Sequence, residues 1–306
     1  MTGVVIPSLG GCHLPACLAA VRRLGPAPAR IVLVLSGGPE PPETTPAVEV
    51  LVRPDRLGFA AAANAGIAHL GGTVGRIALL NDDALPEPDW LAALETALDG
   101  DPALAAVQGT VTDATGDHVD GRGIGLDPFG LPIQVDRGRA ASPEPDAPRP
   151  LVAVSATAAL FRAAALDRVR LADGSTFDPS FGSYHEDLDL GLRLRRVGWT
   201  AAWVPGAPAS HVGSASGSQL RWRHPWWLLA NRWRALAGNS TPGAFAAVLP
   251  RLLRGELRAV RTLVRDNPRA ALVTLATTAA IPWLIAHGLS RSGPGPRLTR
   301  LPEVPT

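Results

Sequence analysis

The sequence predicts an α/β fold: a Rossmann-like, mostly parallel sheet flanked by helices and continued by a C-terminal helical tail. Three observations carry that prediction. Short apolar runs alternate with helical patterns in the first part of the chain, as in successive βαβ units. Two carboxylates, Asp82 and Asp83, directly follow the apolar run Ile77-Ala78-Leu79-Leu80, at the strand end that faces the ligand crevice in such sheets. Beyond about residue 215 the pattern shifts to arginine, tryptophan and leucine at helical spacing.

Taken in order, Val4–Ile6, Ile31–Leu35, Val48–Val52, Ile77–Leu80 and Ala105–Val111 read as strands, being short, apolar and rich in branched side chains. Leu14–Leu24, Ala60–Leu70 and Asp89–Leu98 carry the helical period between them. In the third helix Asp89, after Pro88, is placed as N-cap, and Trp90, Leu91, Leu94 and Leu98 share the inner face. Residues 113–138 are rich in Gly and Asp and read as hairpins or loops. Their Gly121-x-Gly123-x-Gly125 has no buried strand before it and no helix after it, so it reads as turn glycine rather than a dinucleotide fingerprint. The proline-rich stretch 140–150 cannot pair in a central strand and reads as a crossing between two halves. Val152–Ser155, Ala158–Phe161 and Thr200–Val204 resume apolar structure, and Leu188–Val197 is a strongly periodic helix.

A chain of 306 residues can hold one α/β catalytic domain with appendages. The net charge of +2 conceals an uneven distribution: residues 221–265 hold nine Arg against the single acid Glu256. There is no Lys, and the abundance of Ala, Pro and Gly makes this a compositional bias rather than a nucleic-acid footprint. Cys12 and Cys17 are too few and too close for a disulfide framework and fit a reducing cytosol. The chain opens on a strand, with no charged segment leading into a signal-peptide core, which predicts a cytoplasmic protein.

The two acidic clusters each admit a structural and a chemical reading. Asn81-Asp82-Asp83 can simply end a strand, since these are ordinary turn residues. Two adjacent carboxylates at that edge can also hold a cation that carries a phosphorylated ligand. Ser183-Tyr184-His185-Glu186 fits a capping box, with Glu186 reaching back to the Ser183 amide. Asp189 can pair with Arg193 four residues on. Asp187 is then the carboxylate left for chemistry as a general base, with Glu186 the alternative. His211 follows a loop of small residues, Gly206 to Ser210, where a lone histidine is ordinarily solvated or hydrogen-bonded.

Val4-Val5-Ile6-Pro7, the stretch Leu57 to Gly66, Asn81-Asp82-Asp83, the run Glu186 to Arg193 with Gly198, and His211 occur in the order seen in family 2 glycosyltransferases. Over residues 3–213 the chain resembles that family, and especially its rhamnosyltransferase-like branch. The resemblance implies a GT-A fold, a nucleotide-sugar donor, a divalent metal (Mn2+ or Mg2+) and inversion at the anomeric carbon. It implies that Asp83 coordinates the metal bridging the diphosphate, that His211 completes the metal site, and that Asp82 lies near the ribose or the metal. It places Pro7, Gly58 and Asn64 among the donor contacts, although the residues alone read Gly58 as a tight strand-to-helix connection. One departure is plain: where the family carries an acid after the second strand to bind the donor base, this chain has Ser36, and Asp55 is the candidate replacement.

In the tail, Trp222, Trp226, Trp227 and Trp233 interleave with Arg221, Arg223, Arg232 and Arg234. Pro225 suits a first helical turn, with Trp226, Leu229, Trp233 and Leu236 on one face that packs against the core. Further on, Arg251, Arg254, Arg258, Arg261 and Arg265 form a stripe opposite Leu253, Leu257, Val260 and Val264, the pattern of a helix lying on an anionic membrane surface. The uncharged run Ala270–Ala286 is short for a span and reads as an interfacial or packed helix.

The expected organisation is a catalytic domain over 1–215 (donor half about 1–112, acceptor half about 151–215), a basic Trp-rich helical tail over 216–289, and disorder over 290–306. The expected function is inverting, metal-dependent glycosyl transfer to a lipid-linked or cell-envelope glycan, without nucleic acid, at the inner face of the cell membrane. A non-catalytic scaffold of the same fold is the alternative. A sugar nucleotidyltransferase is disfavoured because Ser8-Leu9-Gly10-Gly11-Cys12 has no basic residue for a phosphate loop.

Overall fold

The computed structural model describes residues 1–38, 47–213, 223–266, 278–291 and 293–302, leaving out the side chains of 223–225 and 262–266. Every apolar run of the first half is a strand: β1 (Thr2–Ser8), β2 (Arg30–Ser36), β3 (Val48–Arg53), β4 (Arg76–Leu80) and, after a short β5 (Ala84–Pro86), β6 (Leu104–Gln108). Between them lie α1 (Leu14–Arg22), α2 (Phe59–Leu70) and α3 (Trp90–Gly100). After β7 (Val111–Thr112), the Gly/Asp-rich stretch holds β8 (Val119–Gly121), β9 (Ile124–Leu126) and β10 (Pro132–Gln134), with Gly123 at φ +93°, a turn conformation that favours glycine. Then come β11 (Arg149–Leu151), β12 (Ala158–Arg162), α4 (Ala163–Arg168), α5 (Glu186–Arg196), β13 (Thr200–Trp203) and β14 (Ala209–His211). The tail is α6 (Arg223–Asn239), α7 (Pro242–Asp266) and α8 (Ile281–Ser290).

The central sheet has eight strands in the order β11-β13-β6-β12-β4-β1-β2-β3. β3, β2, β1 and β4 are parallel neighbours, β12 runs antiparallel between β4 and β6, and β11 is antiparallel at the edge. Pro150 sits in that edge strand, the place in a sheet where a missing N–H is tolerated. Side chains alternate across the sheet. Val4 and Ile6 pack with Leu14, Leu18, Trp90 and Leu94 on one face, while Val5 packs with Ala60, Ala63 and Ile67 on the other. Gly66 sets the depth of α2, because a Cβ there would lie 2.3 Å from Val5 Cγ1. The inner face expected of α3 is fully buried, but Asp89, although at its N-cap, makes no capping hydrogen bond.

A second, four-stranded sheet, β5-β14-β7-β8, grows from the carboxyl end of β4. Residue 211 was expected in a loop and instead lies in β14, paired with Ala84 of β5. That pairing fixes the site, since β5 begins right after Asp83.

The tail shares a third core with α5 and the β9–β10 hairpin, in which Trp233, Leu229 and Leu236 meet Phe181, Leu188 and Leu192. The expected packing face of α6 is therefore present. α7 departs from expectation. Its inward stripe is Phe245, Leu252, Glu256 and Val260, so Leu253 and Leu257 point outward at 44% and 51% exposure beside Arg254, Arg258 and Arg261, not opposite them. Arg232 and Arg234, counted in the basic cluster, turn inward: Arg232 pairs with buried Glu256, and Arg234 stacks 4.7 Å from the Phe181 ring. Residues 293–302, expected to be disordered, are held by Arg196, which donates to the Gly293, Gly295 and Pro296 carbonyls, and by Leu298 bonded to Asn239 and Thr241. A Pro/Gly-rich segment can be ordered wherever a buried arginine needs carbonyl acceptors. No helix among the described residues is long and apolar enough to cross a membrane, and 267–277, with Arg221 and Trp222, lie outside them.

Candidate active site

The turn after β4 and the second sheet bring three side chains into a row. His211 Nε2 lies 3.1 Å from Asp83 Oδ1, and its Nδ1 lies 2.9 Å from Asp120 Oδ2. Burial lowers the His211 pKa, but hydrogen bonds to Asp120 and Asp83 and the charge of both outweigh it and push the value up to about 9. Asp83 is held below the ordinary carboxylate range: burial raises it, and the His211 hydrogen bond and charge more than offset that. Beside this row, Ser8 Oγ donates to Asp82 Oδ2 at 2.5 Å, and burial pushes Asp82 upward against that hydrogen bond.

Nothing in the sequence marked Asp120. It is one Asp in a Gly/Asp-rich hairpin, 91 residues from its partner, and only the β7–β8–β14 pairing brings it to His211. A carboxylate on one imidazole nitrogen is the arrangement that orients a metal-binding histidine for its other nitrogen. The Asp83–His211 spacing also matches that of two neighbouring ligands on one small octahedral cation, so the donor set fits a divalent metal. Among the described residues no cluster of three ligands is assembled, which leaves further positions to phosphate oxygen and water.

The second acidic cluster departs from the capping-box expectation. α5 begins at Glu186 with His185 as its N-cap, and Ser183 Oγ instead accepts from Phe59 N at 3.4 Å. Tyr184 and His185 have φ of +71° and +64°, a conformation that costs on the order of 1–3 kcal/mol for each non-glycine residue. Glu186 is buried, its Oε2 lacks a hydrogen-bond partner, and burial followed by the Asp187 charge drives its pKa well up, favouring the protonated form. Asp187 is half-buried. Its Oδ1 accepts from Leu188 N at 2.8 Å and its Oδ2 from Ala156 N at 3.4 Å. Burial raises its pKa to about 6, against the lowering by those backbone donors.

These two clusters meet in the fold. Asp187 is bonded to Ala156, and the neighbouring Thr157 carbonyl accepts from Asn81 N at 2.9 Å, at the head of the Asp82–Asp83 turn. Pro7 is buried in β1 opposite Val34, and its neighbour Ser8 is the residue that reaches Asp82. Asn64 spends its amide on the 176–177 backbone, donating to Phe177 O at 2.7 Å and accepting from Thr176 N and Phe177 N, so it stitches α2 to that loop. Asp55 and Asn64 line a separate open groove of about 620 Å3 with Arg53, Arg170 and Thr176. Ser36 accepts from Leu57 N. Gly58 makes the close approach expected of it, since a Cβ would lie 2.6 Å from Gly182 O. Cys12 and Cys17 are both free thiols.

A model of the family described as glycosyl transferase family group 2 matches residues 76–292, extending past residue 213 and through most of the tail. Two N-acetylglucosaminyl-diphospho-decaprenol L-rhamnosyltransferases of Mycobacterium tuberculosis, strains CDC 1551 / Oshkosh and ATCC 25618 / H37Rv, are each 26% identical over 265 residues, spanning 73% of this chain and 85% of theirs. Among solved structures, the mannosyltransferase PcManGT from Pyrobaculum calidifontis, in complex with GDP-Man and Mn2+, superposes with a TM-score of 0.54 at 17% identity over 94% of this chain and 83% of its own. GalNAc-T7 with UDP, GalNAc and Mn2+ gives 0.53 at 15% identity over 69% of this chain and 43% of that longer one. These superpositions establish the GT-A fold, and the family match and the rhamnosyltransferase relatives support an enzyme over the scaffold alternative. The chain belongs to glycosyl transferase family group 2 and is a nucleotide-sugar glycosyltransferase.

Proposed function

We propose that the protein is an inverting, metal-assisted glycosyltransferase acting on the hydroxyl of a lipid-linked or cell-envelope glycan at the inner face of the cell membrane. The observation that carries this reading is the meeting of the Asp82–Asp83 turn with Asp187 through Ala156–Thr157. One end offers a cation site and the other a base poised near neutrality. Asp83 and His211 would hold a divalent metal, with Asp120 fixing the imidazole. When bound, such a cation neutralises the charge that develops on the departing nucleoside diphosphate. Asp187 removes the proton from the acceptor hydroxyl as that oxygen attacks the anomeric carbon, on the face opposite the leaving diphosphate. Asp82, hydrogen-bonded to Ser8, is the proposed contact for the ribose or the metal. Gly58 and Pro7 remain proposed donor-side positions as backbone and wall, and Asp55 the proposed base contact in its groove.

The mycobacterial relatives are named for moving L-rhamnose onto a decaprenyl-diphosphate-linked N-acetylglucosamine. A nucleotide-linked rhamnose and a polyprenyl-diphospho-sugar are therefore the first donor and acceptor to assay. Transfer with inverted configuration, dependent on Mn2+ or Mg2+, is the expected result, and transfer undiminished by a chelator would remove the metal. Calorimetry supplies a direct check: nucleoside diphosphate should bind wild type at least about tenfold more tightly with Mn2+ than without, and Asp83→Ala should lose that difference.

Membrane attachment is proposed through the outward face of α7, where Leu253 and Leu257 lie beside Arg254, Arg258 and Arg261 with no acid among them. Each arginine near an anionic surface contributes about 1 kcal/mol, screened by salt. Sedimentation with anionic vesicles should capture the protein at low salt, and replacing the three arginines by Gln should weaken capture by roughly 10²-fold. Equal binding to neutral vesicles would count against it.

A further inference from the structure

The turn that launches α5 is strained and yet held from a distance. Gly182, Tyr184 and His185 all have positive φ, and this backbone turns the carbonyls of Phe181, Ser183 and Tyr184 toward one point. At that point stands Asn231 of α6, 1% exposed, whose Nδ2 lies 2.9, 3.1 and 2.9 Å from those three oxygens. Its Oδ1 accepts from Arg234 at 3.1 Å, and Arg234 in turn donates to the Ser180 carbonyl and hydroxyl. With its acceptor occupied by Arg234, the amide directs its donors to the turn. The turn also works forward and sideways. The His185 carbonyl takes the first bond of α5, from Asp189 N, while Gly182 O and Ser183 Oγ accept from Ala60 N and Phe59 N and so satisfy the first amides of α2.

We infer that Asn231 is a positioning residue for Asp187, holding the 181–185 turn in the conformation that starts α5 where the Asp187 carboxylate meets the Ala156 amide. This rests on the reading of Asp187 as the base. Without the amide donors, the Ser183 and Tyr184 carbonyls lose the Asn231 bond and the Phe181 carbonyl keeps only the Ser183 amide, so the positive-φ residues relax toward ordinary backbone, rotating the first turn of α5. A catalytic group displaced by about 1 Å loses on the order of 10²-fold in rate.

The test uses the full chain with a nucleotide-sugar donor and, because Tyr184 is the only tyrosine, 3-fluorotyrosine labelling, which places a single 19F reporter in the turn. Asn231→Asp keeps the size and the acceptor but removes the N–H donors, and Asn231→Ser is a second variant. The expected result is kcat lowered about 10- to 100-fold with donor KM within about threefold, a moved acid limb in the pH–rate profile, and a shifted 19F resonance. A folded variant with wild-type kcat and acid limb, or one whose kcat falls while the acid limb and 19F resonance stay in place, overturns the inference. Should neither variant fold, hydrogen exchange of wild-type amides 183–188 decides: protection matching α6 supports it, and loop-like exchange overturns it. Asp187→Asn is measured alongside. If that variant keeps its turnover, the base reading falls, and the 19F shift still judges whether Asn231 sets the turn.

Discussion

Asp187→Asn is expected to lower turnover by roughly 10²- to 10⁴-fold while leaving nucleotide-sugar affinity nearly unchanged, because a base acts in the transition state and donor contacts set ground-state binding. The wild-type pH profile should carry the same residue's signature. Burial raises the Asp187 pKa to about 6, and a base must be ionised to work, so kcat/KM should fall tenfold per unit as pH drops below about 6 and level off above it. That limb should vanish from the residual activity of the variant. Glu186→Gln provides the contrast. Burial and the Asp187 charge push the Glu186 pKa well up and its Oε2 has no hydrogen-bond partner, so its amide isostere should keep turnover and stability close to wild type. Turnover retained in Asp187→Asn and lost in Glu186→Gln would exchange their roles.

Asp189→Ala should cost the fold about 3–5 kcal/mol, the largest stability effect expected of any single surface-remote carboxylate here. Asp189 is 1% exposed and pairs with Arg193 at 2.9 Å, while its other oxygen accepts from Asn239 at 2.9 Å and Arg291 at 3.2 Å. The variant leaves the Arg193 guanidinium, itself 1% exposed, without its counter-charge and cuts the link between α5, α6 and the C-terminal segment. Burial raises the Asp189 pKa, but the Arg193 and Arg291 charges outweigh it and hold it below its ordinary value. A depressed folded pKa means that the ion pair stabilises fully above the unfolded value of about 4, and that this contribution disappears only as pH falls through the folded one. Urea denaturation at pH 7 measures it directly. A loss under about 1 kcal/mol would show that the buried network is not what joins the tail to α5.

The difference between these two aspartates marks how far sequence reading reached. The Asp189–Arg193 pair was legible because a helix puts residues four apart on one face. So were the first strands, the inner face of α3 and the turn glycine at Gly123, all consequences of local periodicity. The capping box at Ser183 was a correct local pattern with the wrong outcome: the amide of Phe59, 124 residues away, took the hydroxyl, and Asn231 held the turn in a conformation that local propensity disfavours. The partners of Asn64 were illegible for the same reason, its amide being engaged by a loop more than 110 residues on.

By itself the sequence determined the βαβ order, the acid-ended strand β4 and the amphipathic character of α6, because apolar spacing obeys the geometry of the element it builds whatever lies beyond it. Only the tertiary structure decided that Asp120 bonds His211, that burial pushes the Glu186 pKa well up and that of Asp187 to about 6, and that Leu253 and Leu257 face outward. It also decided that the carbonyls of Gly293, Gly295 and Pro296 accept from Arg196. The physical reason is common to all of these: a hydrogen-bond partner, a desolvation energy or a buried helix face depends on which distant segment arrives beside it, and strand pairing and helix packing choose that segment.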